Sequence, residues 1–152
     1  MRLKGKKCIV TGGSSGIGKA TVKRFIAEGA EVLIADIDIK ESKKLAEEIG
    51  DGVHFIKCDV RLENDIISVS KKAYSIWKKV DVLVNNAGSE LNQSYDKMTE
   101  QEWDKVLDTD LKGPWLMCKH IVPKMVETGS GSVINISSLN GLVGFPLSTA
   151  YG

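Results

Sequence analysis

Short apolar runs rich in valine and isoleucine recur along the chain at 8–10, 32–35, 53–56, 80–84 and 132–136. Runs of this length with little polar interruption suit strands buried on both faces of a parallel sheet. Between them the period changes. Over 17–28 the residues Ile17, Ala20, Thr21, Phe25 and Ile26 fall on one helical face, and 40–49 and 63–77 read as amphipathic helices in the same way. Thr99-Glu100-Gln101-Glu102 is a capping-box start after a loop that begins at Gly88. A further helix is predicted over 112–127, with Pro114 near its start and Thr128-Gly129-Ser130-Gly131 ending it. The alternation β-α-β-α-β predicts an α/β fold, a doubly wound parallel sheet with helices on both faces.

Composition narrows the partners. A chain of 152 residues with 42% hydrophobic content has the length and apolar content of one globular domain. Twenty-one basic residues against 20 acidic ones leave a net charge of +1, too little for general attraction to nucleic acid or an anionic membrane. No apolar stretch approaches the ~18 residues a membrane span needs, and the run after the basic N-terminus is too short for a signal peptide. A cytoplasmic location is therefore expected. Cys8, Cys58 and Cys118 are isolated from one another, so buried thiols are expected rather than disulfides or a zinc site, and no metal site is predicted. The lysine pairs 6–7, 43–44, 71–72 and 78–79 read as solvated element ends, His54 and His120 as structural or exposed, and Trp77, Trp103 and Trp115 as packing anchors.

The chemistry concentrates in the first turn. Thr11-Gly12-Gly13-Ser14-Ser15-Gly16-Ile17-Gly18 links the first predicted strand to the first helix. Gly12 would permit the tight turn, Gly16 would let backbone N–H groups approach a pyrophosphate, and Gly18 would let the helix lie close to the sheet. The helix start itself favours phosphate charge. Ser14, Ser15 and Ile17 are grouped with these glycines as candidate cofactor-binding residues. Asp36 ends the second strand, where a carboxylate can accept from the adenosine ribose hydroxyls and would repel a 2′-phosphate, so NAD is favoured over NADP. Ile37 follows it at the same edge.

The glycine spacing, taken with Asn85-Asn86-Ala87-Gly88 after the fourth strand, resembles the short-chain dehydrogenase/reductase family. Cys58-Asp59-Val60, Trp103-Asp104, Asp110-Leu111-Lys112-Gly113, Asn135-Ile136-Ser137-Ser138 and Tyr151 follow in family-like order over the whole chain. The resemblance implies a single NAD-binding, Rossmann-like domain over 1–152. It further implies that Asp59 and Val60 meet the adenine, and that Asn85, Asn86, Ala87 and Gly88 lie along the cofactor, with Asn85 also steadying the central strands. Ser138 would hold the substrate oxygen and Tyr151 would act as general acid/base, in hydride transfer between NAD(H) and a small-molecule alcohol or carbonyl substrate.

Two departures qualify the implied activity. The family's lysine, four positions after the tyrosine, falls beyond Gly152, so Tyr151 is expected to be a poor acid/base in this chain alone. Asp110 stands where the family usually has asparagine in a proton relay; it could replace the acceptor but not the donor, and a plain surface acid is the other reading. The chain is expected to represent a family fold truncated after about five strands. That would leave 132–136 as an unprotected edge and make the chain marginally stable, or completed by a C-terminal segment or as a homo-oligomer. Two competing functions remain: a non-catalytic nucleotide-binding module and, less favoured by the turn spacing, a methyltransferase binding S-adenosylmethionine.

Overall fold

The computed structural model describes residues 1–151. Strands β1 (Lys7–Thr11), β2 (Glu31–Asp36), β3 (Val53–Lys57), β4 (Val82–Asn85) and β5 (Ser132–Asn135) pair in the order β3-β2-β1-β4-β5. Every pairing is parallel; Val10 stands opposite Ile34 on one side and Val84 on the other. Helices α1 (Gly16–Ala27), α2 (Ile39–Ile49), α3 (Glu63–Trp77), α4 (Glu100–Leu107) and α5 (Gly113–Glu127) make the connections.

Strand alternation divides the core in two. Cys8 and Val10 of β1 point toward α1 and α2, where they meet Val22, Leu45, Val32 and Ile34. Ile9 points the other way, into a cluster with Leu33, Leu83, Ile66, Val69, Leu116, Met117 and Ile121 under α3 and α5. Burying one such aliphatic side chain stabilises the fold by about 1.5–3 kcal/mol, so the three central strands anchor the sheet. The edge is different. All four residues of β5 are exposed, with Val133 and Ile134 at 41 and 42%, so this strand is not covered on both faces like the central ones and stands as the unprotected edge expected for 132–136.

The α1 face also departs from the apolar pattern. Its buried residues are Gly18 and Val22, whereas Ile17 is 64% exposed and Ala20 is exposed too. Close backbone packing, rather than the largest apolar side chains, turns this helix toward the sheet. The capping box at Thr99 and Glu102 forms as expected, but α4 does not stop before the next helix: a π-helical turn over Asp108–Lys112 carries it into α5. Of the tryptophans, only Trp77 is an anchor, its indole N–H donating to Glu31 at 2.8 Å; Trp103 and Trp115 are 40 and 59% exposed. Nor are the lysines all free in solvent, since Lys7 pairs with Glu31, Lys6 and Lys79 with Asp81, and Lys72 donates to the Phe55 carbonyl. Cys8 and Cys58 are buried and their thiols are pushed up to about 12, mainly by desolvation, so they are inert; Cys118 is only half-buried. His54 sits edge-on to Trp77, and His120 meets Glu63 at 2.7 Å.

Candidate functional site

The chain leaves β1 toward β2 and leaves β4 toward β5, so the loops beyond β1 and β4 diverge and open a crevice at the carboxyl ends of the strands. A cleft of about 600 Å³ lies there. Its floor is tied across the divergence. Thr11 Oγ1 accepts the N–H groups of Asn86 and Ala87, both at 3.0 Å, and Asn86 Nδ2 donates to the carbonyls of Thr11 and Gly12 at 3.0 and 3.1 Å.

One wall is the start of α1. Gly12, Ser15, Gly16 and Ile17 line it. Gly16 has φ of 47°, a left-handed backbone, and nothing stands within 4 Å of where a side chain would begin, so the main chain there is open to the cleft. Ser15, the N-cap, makes no side-chain cap bond, and no acid occupies the first turn. The first-turn N–H groups and their partial positive charge are left for an anion. Gly18 lies behind. A Cβ on Gly18 would overlap the Gly12 carbonyl oxygen and stand 2.6 Å from Asn86 Nδ2, so only glycine lets the helix approach this closely. Ser14 is also behind the wall, buried and not among the lining residues.

Asp36 and Ile37 line the next wall, at the end of β2. The Asp36 carboxylate accepts from the Ser14 N–H and hydroxyl at 2.9 and 2.7 Å through Oδ2, and from the Asp38 N–H at 2.9 Å through Oδ1. Asp38 itself caps α2. Asp59 and Val60 line the cleft beyond β3. Arg61 closes on Asp59 with its Nε and Nη2, the shortest contact being 2.6 Å, and this hydrogen bonding holds the Asp59 carboxyl below its usual range.

Asn86, Ala87 and Gly88 line the opposite side, but Asn85 does not; it is buried and donates to Asn135 Oδ1 at 2.8 Å, joining β4 to β5. Tyr151 also lines the cleft. The segment before it is held to the loop after β4, where Gln93 N–H donates to the Leu147 carbonyl at 2.8 Å and Gln93 bridges to Ser148. Ser138 and Asp110 are not among the lining residues. Ser138 caps a short 3₁₀ turn, accepting the Asn140 N–H at 3.3 Å. Asp110, in the π-helical turn, accepts the Ser89 N–H at 2.7 Å through Oδ1, while its buried Oδ2 has no partner among the described residues. Burial raises its carboxyl pKa, partly opposed by the Ser89 bond.

Sequence reading missed several lining or floor residues, and three of them bear on the chemistry of the cleft. Thr11 is a polar side chain at the end of a buried strand, a signal that it must find partners. Arg61 follows Asp59 at a spacing that permits a local ion pair, and Lys105 reaches the cleft from α4. Among the described residues no helix is long and apolar enough to cross a membrane.

A family model described as short chain dehydrogenase matches residues 6–152. The chain is 38% identical to a 3-oxoacyl-[acyl-carrier-protein] reductase of Thermotoga maritima, over 99% of this chain and 63% of that protein. It is 36% identical to a probable galactose dehydrogenase of Rhizobium meliloti, over 98% of this chain and 60% of that protein. A solved metagenomic short-chain oxidoreductase in complex with NADP superposes with a TM-score of 0.94 at 31% identity, covering 99% of this chain and 70% of its own. The chain thus spans about three-fifths of the length of these curated relatives.

Proposed function

The chain belongs to the short-chain dehydrogenase family, and from that premise we propose that it forms the NAD-binding part of an oxidoreductase acting between a small alcohol and its carbonyl counterpart. One observation carries the choice of cofactor: a carboxylate, Asp36, stands on the cleft wall with no free arginine among the described residues that line it. The lining cations are Arg61 and Lys105, and Arg61 is closed on Asp59. A 2′-phosphate placed against Asp36 would meet like charge, whereas a ribose hydroxyl would meet an acceptor. The uncapped start of α1 and the open main chain at Gly16 fit a pyrophosphate.

Bound there, the nicotinamide would supply or take the hydride. The chain's own residues handle the rest. Gly16 and its neighbours hold the phosphates, Asp36 the ribose, and Asp59 with Val60 the adenine. Tyr151 delivers or removes the proton on the substrate oxygen, and Ser138, whose oxygen accepts from Asn140, keeps its own proton to donate to that same oxygen. The relatives are named for different substrates, so the proposal stays at the level of alcohol and carbonyl. Exposed β5 and the apolar side chains of Leu139, Leu142 and Val143 support cover by a further segment or a second copy of the chain.

Calorimetric titration of the full chain with NADH and NADPH tests the reading. Tighter binding of NADH is expected; no binding of either at millimolar cofactor, by a sample shown to be folded, would remove it. A second reading, cofactor binding without turnover, is favoured by the placement of Ser138 and Asp110 away from the lining. Oxidation of any simple alcohol with NAD would discard it.

A further inference from the structure

We infer that Ser14 is the positioning residue for cofactor choice: it fixes the Asp36 carboxylate from behind without itself meeting the ligand. This rests on the NAD reading above and goes one residue deeper. Ser14 is 5% exposed and Asp36 7%, so the two are buried together, yet only Asp36 reaches the cleft wall. Both polar hydrogens of Ser14, on its backbone nitrogen and its hydroxyl, are donated to one oxygen, Oδ2, at 2.9 and 2.7 Å. An ionised carboxylate has about four acceptor sites, two on each oxygen. Ser14 fills both on Oδ2, and the Asp38 N–H fills one on Oδ1. The spare acceptor therefore sits on Oδ1, and the carboxylate cannot turn without breaking two bonds to Ser14.

The consequence is directional. With Ser14 in place, the negative charge is held where a 2′-phosphate would stand. With the hydroxyl removed, one donor on Oδ2 remains and the side chain gains freedom to rotate away from a phosphate. NADH then loses a preorganised acceptor, while NADPH loses a repulsion.

The test is a four-way comparison of NADH and NADPH dissociation constants for the wild type, Ser14→Ala, Asp36→Ala and the double variant. Loss of one charge-assisted bond to a carboxylate predicts that Ser14→Ala weakens NADH by about three- to tenfold and leaves NADPH unchanged or tighter. In the Asp36→Ala background the same serine change should no longer alter the NADH/NADPH ratio. Ser14→Cys, close in size but a weak donor, should shift the ratio in the same direction and serves if the alanine variant does not fold. Equal losses for both cofactors, or a serine effect that persists without Asp36, would overturn the inference. So would wild-type affinities in Ser14→Ala when Asp36→Ala changes them, and that result would leave the NAD reading standing. If Asp36→Ala changes neither affinity, the NAD reading itself falls.

Discussion

Gly18→Ala is the sharpest test of how the cleft is built. The added methyl would overlap the Gly12 carbonyl oxygen and come within 2.6 Å of Asn86 Nδ2 and 2.8 Å of the Gly12 carbonyl carbon. None of these is the loose end of a long side chain. Either α1 lifts from the sheet or the turn after β1 is pushed back, and in both cases the Asn86 amide loses its hold on Thr11 and Gly12. Overpacking of this kind costs about 1–3 kcal/mol, and two lost hydrogen bonds add about 1 kcal/mol each. A total of about 3–5 kcal/mol lowers the melting temperature of a domain this size by roughly 10–15 °C. The anion site moves with the helix start, and NADH affinity should fall at least tenfold, since a displacement of about 1 Å in a positioned group can cost ~100-fold. Gly16→Ala is the control. Its methyl meets no atom, so only the left-handed backbone penalty of about 1–2 kcal/mol applies. Thermal melts and NADH titration of both variants decide the matter: a Gly18→Ala protein that melts with the wild type, or loses no more stability than Gly16→Ala, would refute the close-approach argument.

Three further outcomes are expected. The raised Asp110 carboxyl permits full stability below the unfolded value of about 3.9 and loses it as pH rises through the folded value, so Asp110→Asn should melt a few degrees higher at pH 7 and with the wild type near pH 3. Asp59 has the opposite sign: its lowered carboxyl, held by Arg61, contributes stability above about pH 4 that is lost as pH falls, so Arg61→Ala should flatten the acid limb of a Tm-against-pH curve. Tyr151→Phe should keep NADH affinity within about threefold while any alcohol oxidation by the full chain drops at least ~100-fold; unchanged turnover would exclude the phenol as proton carrier.

Strand positions were legible because buried parallel strands carry apolar runs that little else explains, and α3 was read to its observed ends. The active face of α1 was not, because Gly18 contributes to packing by lacking a side chain, and Ile17 is exposed where it overlooks the cleft. Apolar periodicity sees neither effect. The π-helical turn at 108–112 depends on a shift in hydrogen-bond register that side-chain pattern does not encode. In the site, the glycines and Asp36 were readable from spacing, and the 86–88 segment only from the family resemblance. The ties of Ser14 to Asp36 and of Thr11 to Asn86 join positions 22 and 75 residues apart, and only the folded sheet brings them together.

The bonds between Thr11 and Asn86 have a thermodynamic consequence. Two loops that diverge from neighbouring strands would ordinarily flex independently, and a visiting molecule would have to still them both. Here they are already stitched into a single piece before anything arrives, so less of the attraction felt by an incoming ligand is consumed in quieting the protein.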